Sequence, residues 1–180
     1  MRQTITTTTE MDFMDVVLRK SQLAGLLERV CRTLELTDTQ FETAKSRYEA
    51  VGKWLSEAQD QLINNATIYP QGSISISTTV KPVGQEEYDV DLVCLVPGLT
   101  PDTSPDALKR SLGARLRQNT RYTGLLEEKK RCWRLNYANE FHLDITPTIP
   151  NPACNNEGEL LPDKPRVGAQ LADWRETNPK

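Results

Sequence analysis

An α+β fold, with helices laid against a small mixed sheet, is what this 180-residue chain predicts. Three observations carry the prediction. Apolar residues recur at helical spacing over roughly the first third of the chain. Short β-branched and apolar runs, bounded by Pro, Gly and Asn, follow. One further helix start, Ser104-Pro105-Asp106, is interposed among those runs. Helices and strands mixed in this order give an α+β or α/β domain.

Each element has a local reason. Residues 1–10 are polar and read as a flexible N-terminus. From Met11 to Leu34 the apolar set Phe13, Val16, Val17, Leu23, Leu26, Leu27, Val30 and Leu34 predicts a helix. A second helix starts at Thr37 or Asp38, either of which can cap it, and carries Phe41, Ala44, Tyr48, Val51, Trp54, Leu55 and Ala58 on one stripe. Both helices are expected on one side of the sheet. Ala66 to Tyr69 predicts a short strand stopped by Pro70, followed by a turn at Gly72-Ser73. Residues 74–79 carry no clear preference, and Val83 to Glu87 reads as a polar loop. Tyr88 to Val96 is a buried strand closed by Pro97-Gly98. The helix begun at Ser104 has a cap, Pro at its first position and an acid at its second, and is expected to reach Gln118. Cys132 to Tyr137 alternates like a strand, Ala138-Asn139-Glu140 reads as a turn, and Phe141 to Thr146 pairs back. Residues 147–167 read as a long Pro- and Asn-rich surface loop, and Leu171 to Trp174 as the beginning of another helix. The core is assigned to residues 11–173 and a linker to 174–180.

Bulk properties narrow the classes. With 37% hydrophobic and 26% charged residues the chain is globular, and its length suits one domain with a sizeable core. A net charge of −3 gives no global drive toward nucleic acid, although the locally basic stretch from Lys109 to Arg134 leaves that partner open. No run is long and apolar enough to span a membrane, and Met1-Arg2-Gln3 with its threonine run lacks a signal-peptide core, so the cytoplasm is the expected compartment. Cys31, Cys94, Cys132 and Cys154 lack metal-ligand spacing and read as reduced structural thiols.

The chemistry lies in Asp89-Val90-Asp91-Leu92, downstream of Gln71-Gly72-Ser73. Side chains alternate along a strand, so Asp89 and Asp91 share a face. Adjacent carboxylates repel unless a cation lies between them. A Gly-Ser turn offers backbone N–H groups to a triphosphate, and Asp144 in the strand run Phe141 to Thr146 is a third ligand candidate. Two-metal phosphoryl transfer needs such a set. The plainer alternatives are a solvated acidic strand face, an ordinary turn at Gly72-Ser73, and a glycosyltransferase Asp-x-Asp. His142, the only histidine, reads as a packing residue in the same strand. Lys81 has both phosphate-binding and solvated readings. Trp133 and Tyr88 read as core residues with base stacking as the rarer role, and Lys129, Lys130, Arg131 and Arg134 as a solvated or phosphate-binding cluster.

Gln71-Gly72-Ser73, Thr79-Val80-Lys81-Pro82, Asp89-Val90-Asp91-Leu92, Phe141-His142-Leu143-Asp144 and the terminal Trp174 to Lys180 together resemble the bacterial cGAS/DncV-like nucleotidyltransferases (CD-NTases) of the polymerase-beta-like superfamily. The resemblance covers nearly the whole chain. It implies a nucleotidyltransferase core in which Asp89, Asp91 and Asp144 bind two Mg²⁺ or Mn²⁺ ions, while Gly72 and Ser73 hold the β- and γ-phosphates. It implies nucleoside triphosphate substrates such as ATP or GTP, a cyclic oligonucleotide product released with pyrophosphate, and an effector that responds to it in antiphage defence. Transfer of a nucleotide to RNA, protein or a small molecule, and nucleotide binding without turnover, remain the alternatives. Family members continue past Asn178-Pro179-Lys180 into a helical domain forming the other wall of the cleft. Weak or absent synthase activity is therefore expected of 1–180 alone.

Overall fold

The computed structural model describes residues 6–81, 87–153, 159–163 and 173–177. The chain divides into two units, Met1–Glu35 and Leu36–Lys180. The first contains the helix α1 (Thr6–Leu34). Ion pairs one turn apart, Asp15–Arg19 and Glu28–Arg32, run along it, and its apolar residues Phe13, Val17, Leu23 and Leu27 are exposed.

The second unit begins with α2 (Asp38–Ser56). Thr37 is its cap. The Thr37 hydroxyl accepts from the Gln40 N–H, and the Gln40 side chain accepts from the Thr37 N–H, so two otherwise unpaired donors are satisfied reciprocally. Ala44, Val51 and Leu55 on the predicted stripe are buried, whereas Phe41 at its start is exposed.

Five strands follow in the spatial order β1-β2-β5-β4-β3. They are β1 (Thr67–Gln71), β2 (Tyr88–Leu95), β3 (Leu126–Glu128), β4 (Trp133–Tyr137) and β5 (Phe141–Pro150). A short helix α3 (Gly72–Ser75) follows β1, while α4 (Pro105–Arg117) and α5 (Thr120–Thr123) lie between β2 and β3. All neighbours are antiparallel except β2 and β5, which are parallel. A parallel pair cannot be joined by a tight turn and needs a crossover. Residues between Leu95 and Phe141, including α4, supply it.

One sheet face, carrying Val90, Leu92, Leu135, Leu143 and Ile145, is buried beneath α2 and α4. Fully burying each such aliphatic side chain contributes about 1.5–3 kcal/mol before entropy is counted. The two helices are tied to each other. Trp54 Nε1 donates to the Arg115 carbonyl at 3.1 Å, and the Arg115 guanidinium stacks on the Trp54 ring, 3.7 Å from its centre, while donating to the Trp54 carbonyl. Trp133 packs against α4 at Gly113, with Nε1 donating to the Lys109 carbonyl at 2.8 Å. Gly113 is the residue that admits the ring, since a Cβ there would overlap it.

Several expectations change. The strand that Pro70 was to stop runs through it to Gln71. β1 is an edge strand of the five, where a missing N–H is tolerated. Residues 147–150, predicted as loop, extend β5; Pro147 lies past the last β4 pair, Trp133–Ile145, so its missing N–H costs no bond to that strand. Within the same predicted loop, β6 (Glu159–Asp163) pairs with Ile149 and Pro150. β7 (Asp173–Thr177) pairs with β6, so Asp173 and Trp174 are strand where a helix start is expected. α5 and β3 have no counterpart in the sequence prediction. The expectations at residues 1–5, 82–86, 154–158, 164–172 and 178–180 lie outside the described residues. No described helix is long and apolar enough to cross a membrane.

Gly113→Ala is expected to destabilise the fold by about 1–3 kcal/mol, the usual cost of overpacking. Trp133 cannot slide aside without losing its bond to Lys109. Urea unfolding followed by tryptophan fluorescence measures the shift.

Candidate active site

Strand register builds the site. In the parallel β2–β5 pair, Asp91 lies opposite Asp144; in the antiparallel β4–β5 pair, Arg134 lies opposite Asp144. Gln71 faces Asp91 from β1, and Glu127 faces Arg134 from β3. One row therefore crosses all five strands: Gln71, Asp91, Asp144, Arg134, Glu127. Asp89 and His142 form a pair in the adjacent position on the same face. Asp89, Asp91 and Asp144 are thus brought together as predicted from period-2 alternation.

Trp133 and Tyr88 alternate with these residues and point to the opposite, helix-covered face, where both are buried. The pleat that gathers the carboxylates excludes base stacking by either aromatic from the carboxylate face. Tyr88 packs on Phe141 instead, with ring centres 5.4 Å apart.

Gly72 sits at the mouth of the row. Its φ is +63°, and a Cβ there would lie 2.7 Å from Asp91 Oδ2. Glycine takes the left-handed backbone without strain and lets the carboxylate approach closely. Ser73 begins the same helical turn; its Oγ lies 2.9 Å from Thr79 Oγ1, and its carbonyl accepts from the Thr78 N–H at 2.8 Å. The loop after α3 is thereby folded back onto Ser73 and engages its hydroxyl.

Electrostatics single out two residues. Burial raises the Asp91 carboxyl above its usual range, and the neighbouring Asp144 and Asp89 charges raise it further; Arg134 offsets part of this. Arg134 Nε and Nη2 donate to the two oxygens of Asp144 at 2.6 and 2.7 Å, and Nη2 also reaches Asp89 Oδ1 at 3.1 Å. These bonds, the Asp144 pair foremost, strengthen the hold of the guanidinium on its proton. In this arrangement no three His, Cys, Asp or Glu side chains among the described residues close on one point as a metal shell does. Asp144 is instead gripped by the fork of Arg134. The donor set nevertheless suits a hard divalent cation, because three carboxylates converge on one face with one of them held against its own charge.

Surrounding residues hold the frame. His142 Nδ1 lies 3.0 Å from Glu87 Oε2, and Glu87 Oε1 accepts from the Asn139 N–H at 2.7 Å, joining the start of β2 to the β4–β5 turn. The approach lacks hydrogen-bond geometry, and His142 Nδ1 is buried with no hydrogen-bond partner among the described residues. Cys132 is pushed up to about 12, by burial first and then by the Asp144 charge, and Cys94 to about 12 by complete burial. Neither is a ready thiolate. Within the basic cluster, Lys129 pairs with Glu127 at 2.6 Å.

The sequence prediction missed the role of Arg134, grouping it with its basic neighbours. The signal was present in the hairpin. A turn at residues 138–140 that sets Tyr137 opposite Phe141 also sets Arg134 opposite Asp144. Asn139, at φ +62°, supplies the left-handed position that this turn requires.

Because its folded-state pKa is raised, Asp91 keeps its proton to higher pH in the folded chain than in the unfolded one. Stability is lost as pH rises through that window. Metal-free Asp91→Asn is therefore expected to melt at a higher temperature than the parent at neutral pH. The gap should close as pH falls toward the ordinary aspartate value of about 3.9. Thermal melts across pH in the presence of a chelator check the sign.

Comparison with known proteins falls on the same elements. Residues 66–147 match the family described as Cyclic GMP-AMP synthase DncV-like, nucleotidyltransferase domain. The chain is 39% identical over 129 residues to a c-di-GMP synthase of Roseivirga ehrenbergii, covering 71% of this chain and 34% of that protein. It is similar to the solved structure of the CD-NTase CdnG of Bradyrhizobium diazoefficiens in complex with GTP, with a TM-score of 0.65 and 30% identity over 82% of this chain and 41% of that one. The apo form of Vibrio cholerae DncV shares the fold, with a TM-score of 0.60 at 14% identity over 83% of this chain and 55% of that one. The chain thus spans about a third of the curated relative's length. The family match contains Gly72, Ser73 and all three aspartates, and the chain belongs to the CD-NTases, the DncV-like nucleotidyltransferases.

Proposed function

We propose that this chain is the catalytic unit of a metal-dependent nucleotidyltransferase that joins nucleoside triphosphates into a cyclic oligonucleotide. The observation that carries the reading is the register pair Asp91–Asp144 with Asp89 beside it, next to a glycine whose missing Cβ leaves room for the Asp91 carboxylate. The relatives support the substrate class: one is a c-di-GMP synthase, and another was solved with GTP.

In the reaction a hydroxyl of one nucleotide attacks the α-phosphorus of another. A new P–O bond forms, the bond to the β-phosphate bridge breaks, and pyrophosphate leaves. Two divalent cations, Mg²⁺ or Mn²⁺, held by Asp89, Asp91 and Asp144, would supply charge neutralisation at the attacking and leaving oxygens. The remaining work belongs to the chain. Asp144, once free of Arg134, would accept the hydroxyl proton, directly or through water. Gly72 lets the phosphates approach the backbone, and Ser73 offers its N–H and hydroxyl to the β- and γ-phosphates. Catalysis here is positioning and electrostatics, as in other phosphoryl transfers. A second such reaction within the linear product closes the ring, and the cyclic product would signal to an effector in antiphage defence. The cytoplasm is the compartment where these triphosphates are found.

The test is product analysis. Chain 1–180, and any longer form its gene encodes, is incubated with the four labelled nucleoside triphosphates and Mg²⁺ or Mn²⁺, treated with phosphatase and resolved by mass spectrometry. A phosphatase-resistant cyclic oligonucleotide from the longer form is expected. A nucleotide attached to RNA, protein or a small molecule would replace this reading with nucleotide transfer to that acceptor. Metal-dependent triphosphate binding without any product would make the chain a binding module.

Asp89→Asn and Asp91→Asn are each expected to lower product formation by about 100-fold or more, with the fold intact by circular dichroism. Gly72→Ala combines a left-handed backbone cost of about 1 kcal/mol with displacement of the Asp91 carboxylate. Its loss of product should far exceed what that loss of stability explains.

A further inference from the structure

We propose that Arg134 is the resting counter-ion of the carboxylate site and is displaced when divalent cations bind, so that its guanidinium sets how tightly the site takes metal. The inference rests on the metal-dependent reading above and assigns a positioning role to a residue outside the carboxylate set.

Three observations carry it. Both oxygens of Asp144 are engaged by the Arg134 fork at 2.6 and 2.7 Å, the bidentate geometry that makes such pairs strong. The same guanidinium reaches Asp89 at 3.1 Å, so it spans two of the three carboxylates. Arg134 and Asp144 are both mostly shielded, with side-chain exposures of 20% and 15%, which keeps water from weakening the pair. A cation bound by Asp144 must use oxygens that the fork now holds, and it would bring a second positive charge against a guanidinium that cannot lose its own. Metal and fork therefore compete for one carboxylate. Arg134 also has an alternative partner: Glu127 is its cross-strand neighbour on β3, and the Arg134 charge already helps to hold the Glu127 carboxyl below its usual range, after Lys129 and Asn136. The guanidinium can leave Asp144 without leaving the row.

The arrangement also accounts for the apo fold. Like charges directly opposite each other on neighbouring strands are destabilising. Arg134 offsets the Asp91–Asp144–Asp89 repulsion until metal replaces it.

The experiment is calorimetric titration of the metal-free chain with Mn²⁺ alone, without nucleotide, for the parent, Arg134→Gln and Arg134→Lys. Arg134→Gln should bind Mn²⁺ about tenfold tighter, in line with the one-to-three-unit effect of a single neighbouring charge on a carboxylate. It should also melt lower without metal and gain more from metal. Arg134→Lys keeps the charge but loses the fork and should fall between. In the parent protein, the Arg134 Nε–H signal in nitrogen–proton spectra should shift on saturation with diamagnetic Mg²⁺, a readout that needs no variant to fold. Equal or weaker Mn²⁺ binding by Arg134→Gln, or an Nε–H signal unmoved at Mg²⁺ saturation, overturns the inference and leaves the metal-dependent reading standing. Binding by neither parent nor variants overturns both.

Discussion

The parallel pairing of β2 with β5 sets two aspartates directly opposite each other, and the rest of the site depends on that conflict. Every other element around the row either creates the pairing or relieves its cost. The crossover through α4 makes the parallel arrangement possible, and Trp133, seated on Gly113, locks α4 against the sheet. The hydrophobic face formed by Val90, Leu92, Leu143 and Ile145 prevents a one-residue slip, which would turn the carboxylates into the core. The burial that stabilises one face is thus what enforces repulsion on the other.

That repulsion is a stored preference for positive charge. Burial and its two carboxylate neighbours raise the Asp91 carboxyl above its usual range, and Arg134, paired with Asp144, offsets part of this. Gly72 closes the opposite side, where any side chain would collide with Asp91. An edge strand running into a sharp glycine turn and two central strands are therefore brought together from three separate stretches of sequence. A site that sacrifices native-state stability to place charge is what a cation- and phosphate-binding function requires.

Much of this was legible in the sequence, and the reasons differ by element. Asp89 and Asp91 could be placed on one face because strand alternation is local, and the capped starts of α2 and α4 were readable because capping chemistry is local. Asp144 needed the hairpin turn at residues 138–140, still a short-range signal. Arg134 followed from the same turn, but its basic neighbours masked it as part of a solvated cluster. β6, β7 and the end of β5 were not legible, because prolines at 147, 150 and 162 mimic a loop and pairing between distant strands leaves no local mark. Pro70 misled in the same way: its tolerance depends on its strand being at an edge, which only the tertiary arrangement decides. The faces of Trp133 and Tyr88 followed from period 2 once the strand bounds were known.

The most direct measurement of the central claim is a crystal structure of the chain grown with Mn²⁺ and a non-hydrolysable nucleoside triphosphate, with ion positions taken from the manganese anomalous signal. The account predicts anomalous peaks in contact with Asp89, Asp91 and Asp144, the β- and γ-phosphates against Gly72 and Ser73, and the Arg134 guanidinium turned away from Asp144. Manganese and triphosphate bound away from the carboxylate row, with the Arg134–Asp144 fork intact, would contradict it.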